Sequence, residues 1–535
     1  MAASAVFVAS QGSAATLYVS ADSTNPVPPY ATPATAADNI QAAVDVATNG
    51  DTVLVEPGQY DLTNQITITE SITLRSIGEA SATFLSALDP TWCLWISNSV
   101  AVIDGFTIQN PGGSSVAAGG VLLVGGTVQN CAFTNFLVDG PGPGNSVTMT
   151  GGILSNSVVY FHRIPPEFDP TAVYCTEGGL VTDCQLLISG GGQGVGIYLE
   201  NSQMRNSVVL GTHQGCNCDS GQAVSASEST ITDCTIANNW SLRPGGGAYL
   251  NSCLMDRCVL AYNTSTANGG GIFETNSTIR DSLIVSNSAN ISQPGAPSGL
   301  GGGVYMQGGA LVNCTVGEDS AEDNECRPGQ GGGVYVESGG ITNSIIYFNY
   351  ATVGANWTNA ATGVFDHSCT TPDPGGAGNI VQDPQFVAPT DFHLATNSPC
   401  IAAGVVQSWM TGAFDLDGNP RTTNGVVGMG AYQSPTAGAP APVKANFVAS
   451  PRSGEAPLSV QFKDASTGPV AAWNWNFGDG ATSALQNPSH TYFDRGDHIV
   501  TLVVTGSGAS STNGMAISVQ SRRTHLANPD QSYQF

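Results

Sequence analysis

The sequence predicts an all-β chain, a right-handed parallel β-helix followed by a small β-sandwich, on three observations. A six-residue word, aliphatic, any residue, Asn/Asp/Arg, Cys or Ser, any residue, aliphatic, ends at Phe133, Val159, Leu186, Val209, Ile236, Leu260, Ile284, Val316 and Ile346. Its Cys/Ser position falls at Cys131, Ser157, Cys184, Ser207, Cys234, Cys258, Ser282, Cys314 and Ser344, with spacings of 26, 27, 23, 27, 24, 24, 32 and 30 residues. In phase with it run glycine-led strands, GVGIYL to Leu199, GGGAYL to Leu250, GGGIFE to Glu274, GGGVYM to Met306 and GGGVYV to Val336. Third, 66 glycines and only 10% charged residues describe a turn-rich repeat rather than a helical chain. A strand-and-turn repeat this short cannot bury its apolar face alone and must stack on its neighbours.

Each repeat is then one coil, with coils about 4.8 Å apart and a rod on the order of 60 Å long. Equivalent residues stack into ladders, so the Cys/Ser position forms one interior ladder flanked by aliphatic ones. A buried thiol there is a compact hydrophobe. Of the ladder cysteines only Cys234 and Cys258 sit on adjacent coils; Cys131, Cys184 and Cys314 have Ser neighbours, beyond disulfide reach. The five are expected to be unpaired core. Spacing leaves the pairing of Cys93, Cys175, Cys216, Cys218, Cys253 and Cys326 open.

Residues 1–15 form an apolar stretch ending in small residues, like the remnant of a secretory signal without its positive start. The β-helix with its N-terminal cap is expected over 16–360. Ile40, Ala43, Val44 and Ala47 have helical spacing within 35–48, with Asn49-Gly50 as the stop. A short helix over the first coil blocks an open parallel edge. Together with DTVLVEPGQY, ending at Tyr60, this opening resembles secreted bacterial pectate-lyase-like β-helix proteins. Residues 361–433 carry DFHLATNSPCIAAG, FDLDGNPR and VGMGAYQ. These resemble the choice-of-anchor Q domain, which closes many bacterial surface β-helices.

A Pro/Ala linker spans 434–443. Short alternating strands over 444–520, with WNFGDG, NPSHTY and IVTLVVT, resemble the PKD domain, an immunoglobulin-like sandwich that serves secreted and surface proteins as spacer or contact module. That resemblance implies Trp475 and Phe477 in the core and a tight turn at Gly478-Asp479-Gly480. A tail covers 521–535.

The net charge is −26 and no lysine precedes Lys444, which argues against nucleic acid and anionic polysaccharide as partners. After the signal-like stretch no run approaches the roughly 18 apolar residues of a membrane span. A neutral glycan, another surface protein or a second copy of the chain fits better, outside the cell.

For chemistry, the words of a pectate-lyase-like or polygalacturonase-like site are missing, and fold alone does not license activity. The weak catalytic candidates are His162, Arg163, Glu167 and Asp169 in FHRIPPEFDP. THQGCNCD places His213, Cys216, Cys218 and Asp219 together, a weak metal signal. Asp415, Asp417 and Asn419 alternate oxygen ligands like the start of a calcium loop, but without the closing Glu an Asx-rich turn is the plainer reading. No other cofactor is implied. EDSAEDNE (318–325) reads as a solvated acidic loop. Cys369 and Cys400, flanking the closing segment, are the best disulfide pair. Tyr174, Tyr198, Tyr249, Phe273, Tyr305 and Tyr335 recur at one strand position: facing out they make a binding platform, facing in they are core. Sequons begin at Asn239, Asn263, Asn276, Asn290, Asn313 and Asn356.

The expectation is an exported surface or matrix protein acting in adhesion or self-assembly, leaning away from enzyme. The alternatives are a polysaccharide lyase or hydrolase of the β-helix class and a structural filament subunit.

Overall fold

The computed structural model describes residues 14–78, 80–88, 92–110, 119–134, 145–163, 171–190, 194–212, 222–290, 299–321, 329–433, 443, 445–451, 453–464, 466, 470–493, 496–506 and 509–520. The signal-like start and the tail lie almost wholly outside them, as do Glu167, Asp169, His213, Cys216, Cys218, Asp219 and Cys326. The chain divides into two units, Met1–Leu416 with Pro420–Ser434, and Asp417–Asn419 with Pro435–Phe535.

The first unit is a solenoid of parallel strands. One coil shows the plan: Val195–Glu200 lies in a first row, Gln203–Arg205 in a second and Val208–Thr212 in a third. Among the described residues the third row stacks 13 strands from Gly58–Leu62 to Cys369–Thr370, and a fourth, short row of 5 runs from Trp240–Ser241 to Tyr350–Ala351. The coils pass the expected boundary at 360, because Trp357–Asp366 pairs in parallel with Val334–Thr342, with one register shift between Val336 and Ser338, before the chain leaves the stack.

The six-residue word is the corner between the second and third rows. Its two aliphatic positions, from Val128 and Phe133 to Ile341 and Ile346, are buried throughout. Its Asn/Asp/Arg position, Asn130 to Asn343, has φ between 43 and 56°, the left-handed region where a short polar side chain costs least. The Cys/Ser position turns inward, and Ser accepts the backbone N–H of the preceding coil: Cys131 N donates to Ser157 Oγ at 3.1 Å and Cys314 N to Ser344 Oγ at 3.1 Å. Cysteines of this ladder, including neighbours Cys234 and Cys258, are free and buried, as are Cys93, Cys175 and Cys253. Burial pushes Cys131 and Cys184 up to about 12, so they are inert at neutral pH. In the glycine runs Gly269 has φ +69°, and a Cβ on Gly270 would lie 2.3 Å from the Ser288 backbone and 2.4 Å from the carbonyl oxygen of Gly302 on the next coil.

The N-terminal helix is shorter than expected, Ile40–Val46, because the Asn39 side chain accepts from Ala42 N at 2.9 Å and caps it there. The four apolar positions predicted for it are all buried. It packs on Thr16–Val19, Thr52–Val55 and Ile66–Ile68.

The segment after Thr370 folds back along the solenoid. Phe392 and Ala431 pack on Ala237, Ala261, Leu283 and Val285, outward residues of the third row. Asn313 Nδ2 donates to Gly428 O at 3.0 Å, and Asn343 exchanges bonds with Val405 at 2.7 and 2.8 Å. Cys369 and Cys400 meet in a small cluster with Ile345 and Met429, and both thiols are free.

In the second unit a 3-stranded and a 5-stranded sheet enclose Trp475, Phe477, Phe447, Phe462 and Tyr492. Trp475 and Phe477 are core as expected, and Gly478 and Gly480 turn at φ 82 and 92°.

A corner after the third row holds a second polar ladder. Asn239 Nδ2 donates to Asn263 Oδ1 at 2.9 Å, Asn263 to Asn287 at 3.0 Å and Asn287 to Asp319 Oδ1 at 3.0 Å. Asp319 is therefore not part of a solvated acidic loop: it is fully buried in an asparagine position. Its Oδ2 has no hydrogen-bond partner and sits against Gly303 as the amide nitrogens of Asn263 and Asn287 sit against Gly247 and Gly271. An oxygen there replaces a donor, and burial holds the carboxyl well above its usual range. Because the folded value is raised, its contribution is full below about pH 4 and is lost as pH rises through the folded pKa. Asp319→Asn should stabilise the solenoid by about 1–3 kcal/mol at pH 7. In thermal melts that advantage should shrink as pH is lowered towards 4; equal gain at every pH would contradict a protonated Asp319.

Candidate functional site

The first row sorts its residues by strand alternation. Val173 and Cys175, Ile197 and Leu199, Ala248 and Leu250, Val304 and Met306 face the core and are buried. The residues between them face out: Tyr174 is level with Tyr198, then Ser225, Tyr249, Phe273, Tyr305 and Tyr335. The six aromatic positions predicted from sequence thus form an outward ladder.

Their rings stack. Tyr174 and Tyr198 lie 4.9 Å apart at 6°, and Tyr249, Phe273, Tyr305 and Tyr335 follow at 5.3, 4.8 and 5.2 Å, within 7° of parallel. Such pairs contribute about 0.5–1.5 kcal/mol each beyond their burial. Ser225 splits the ladder into two stacks. Sequence reasoning missed it, although the word AVSAS, standing where other coils have an aromatic after a glycine run, carries the signal.

Two residues further along each strand runs a polar row in the same register, Glu200, Ser227, Asn251, Thr275 and Gln307, and Gln307 is then level with Ser338 across a register shift. Asn251 Nδ2 reaches Ser227 Oγ at 3.4 Å. The Tyr305 hydroxyl donates to Glu337, which also accepts from Gln307 Nε2 at 3.0 Å. Burial, then the Glu200 charge, raises the Tyr198 phenol. The face therefore offers ring surface beside hydroxyls, amides and carboxylates.

The other predicted residues are distributed elsewhere. His162 and Arg163 end the third-row strand Val158–Arg163, opposite Ser189 and Gly190. Asp415 is fully buried and its Oδ2 accepts Gln433 N at 2.7 Å. With Asp281 it flanks Arg421, also fully buried, which lies 3.4 Å from Asp281 and donates to the carbonyls of Gly428, Gly430 and Ala431 at 3.1, 2.7 and 3.3 Å. In FDLDGNPR, then, Asp415 and Arg421 serve a buried ion cluster that binds the closing segment to the solenoid. Asp417 and Asn419 group with the second unit. Among the described residues no three His, Cys, Asp or Glu side chains gather as for a metal ion. Glu274 is the one acidic side chain facing inward in the first row among the described residues; it accepts from Ser277 N at 2.9 Å and Gln307 N at 3.1 Å, and burial pushes it up to about 8. Of the sequon asparagines, Asn239, Asn263, Asn313 and Asn356 are buried, whereas Asn276 is exposed.

Geometry defines the class: an all-β protein built on a right-handed parallel β-helix, with a β-sandwich at its C-terminal end. Residues 171–351 match the family described as the right handed beta helix region, and residues 437–519 match the PKD domain. Among solved structures the chain is similar to pectate lyase Pel9A, at 12% identity over 79% of this chain and 97% of that one, with a TM-score of 0.36. It is similar to the PKD1 domain of Vibrio anguillarum Epp at 26% identity over 16% of this chain and all of that one, TM-score 0.14. A third similarity, at 31% identity and TM-score 0.15, is to a structure described for carbohydrate-binding modules of the beta-sandwich super family. It covers 15% of this chain, which spans about a third (35%) of that structure's length.

Arg421→Met should release the closing segment, because Asp281 and Asp415 then face one another without a cation, a change of about 3–5 kcal/mol. Limited proteolysis should cut within 371–433 in the variant and leave the wild type intact there. Equal resistance would show that the apolar contacts of Phe392 and Ala431 suffice.

Proposed function

We propose that this is an exported surface or matrix protein that adheres to a neutral glycan along the outward aromatic ladder of its β-helix. The observation that carries this is the direction of the ladder: its six rings lie on the outward side of the first row, half-buried except for Tyr305, which is buried, and run beside a polar row. Sugar rings are recognised by that combination, apolar C–H faces on aromatic surface and hydroxyls on side-chain oxygen and nitrogen. The net charge of −26 opposes uronate or sulfate polymers. The PKD domain supports an extracellular setting, and among the described residues no helix is long and apolar enough to cross a membrane.

In an oxidising compartment Cys369 and Cys400, which share one buried cluster as free thiols, would join and tie the last coil to the closing segment. Peptide mapping of protein secreted from its host, without reductant, should recover them as one linked pair. Recovery of both as alkylated thiols would remove this bridge from the proposal.

The test of adhesion is a glycan array read beside size-exclusion chromatography of the full chain. Retention on neutral glycans, reduced about tenfold in Tyr249→Ala/Phe273→Ala while the melting curve stays cooperative, is the expected result. A chain that elutes as a polymer and binds no glycan would favour the filament alternative instead.

A further inference from the structure

The break in the ladder at Ser225 separates two ring faces that no side chain of the ladder covers. Tyr198 is stacked on the Tyr174 side and Tyr249 on the Phe273 side, so each turns its other face towards the coil of Ser225. Tyr198 and Tyr249 are two coils apart, about 9.6 Å at ordinary strand spacing. Half of that matches the 4.8–5.3 Å pitch at which the ladder stacks its own rings. The gap is one ring wide, and Ser225, half-buried, is its floor. We propose that it is a subsite for a single ring of a neutral hexopyranose glycan, inserted between Tyr198 and Tyr249; this rests on the glycan reading above and gives it a position and a ligand class.

The chemistry selects the class. A ring of aromatic size fits at this pitch, as the ladder's own rings do. A pyranose chair is thicker by its axial C–H bonds, which point at the negative faces of the flanking rings. The equatorial hydroxyls then reach the polar row, where Glu200, Ser227 and Asn251 stand on the three coils concerned. Glu200 is exposed; its carboxylate accepts from sugar hydroxyls and repels an anionic sugar. Thr148 and Thr358 adjoin the ladder beyond Tyr174 and Tyr335, but there only one ring face is offered, so the two-sided slot occurs at Ser225 alone among the described coils of the ladder.

The experiment is calorimetric titration of the full chain with glucose-, mannose- and galactose-based tetrasaccharides, and with a galacturonate tetrasaccharide as the charged probe. Ser225→Tyr fills the slot with the residue the ladder uses elsewhere. It should keep or raise the melting temperature and weaken binding of a neutral tetrasaccharide by about tenfold or more, while Ser225→Ala should leave it within about twofold. Tyr198→Thr removes one wall and should weaken binding similarly, which covers the case in which Ser225→Tyr fails to fold. Wild-type affinity in both Ser225→Tyr and Tyr198→Thr would overturn the subsite but leave glycan adhesion standing elsewhere on the ladder. Binding of galacturonate in preference to the neutral sugars would overturn the ligand class. No binding of any tetrasaccharide by the wild type would overturn the subsite and the proposed function together.

Discussion

The structure depends on in-register stacking of one coil on the next. In a parallel solenoid each residue meets its counterpart about 4.8 Å along the axis, so a choice made at one position is repeated through the stack. Buried corners therefore must satisfy backbone donors by side chains of the adjacent coil, as Ser157 does for Cys131 and Ser344 for Cys314. Outward positions must tolerate contact with their own kind, which aromatic rings do by stacking and carboxylates do not. The same rule explains both the interior Cys/Ser ladder and the outward tyrosines.

That rule also explains what was legible in the sequence. The six-residue word could be read because one backbone requirement, a left-handed residue followed by a small inward one, recurs at each corner from Asn130 to Asn343. The aromatic ladder was legible as a period, but its direction was not. Direction depends on whether Tyr198 or its neighbours Ile197 and Leu199 face inward, and a strand of six residues with apolar side chains on both faces leaves that undecided until the register is known. The N-terminal helix was legible in its apolar spacing but begins several residues after position 35, since the Asn39 side chain caps it there.

Contacts between distant parts of the chain were illegible. Asp415 and Arg421 lie in a word that suggests a cation loop, yet Arg421 finds Asp281, a corner residue 140 positions earlier (421 − 281). Nothing local distinguishes an Asp that ligates a cation from one that neutralises a buried guanidinium, because both need oxygen at a turn. Likewise EDSAEDNE reads as a charged loop, while the ladder of Asn239, Asn263 and Asn287 draws Asp319 into the interior.

Departures from the repeat are the informative positions in such a fold. Most coils obey the ladder rule, so a coil that breaks it either forfeits stability or gains something the consensus residue cannot supply. Asp319 is of the first kind: it fits the asparagine corner in shape, lacks the donor and leaves an oxygen without a partner. Ser225 is of the second kind. It forfeits two ring contacts, at Tyr198 and Tyr249, yet leaves no polar atom stranded, since its hydroxyl stands on a partly exposed face and the strand pairs on both sides without a bulge. A defect that costs contact but not satisfaction opens space of defined width without weakening the frame around it. That separation of scaffold from vacancy lets a rigid solenoid present a ring-sized opening at one coil, positioned by the backbone rather than by a loop.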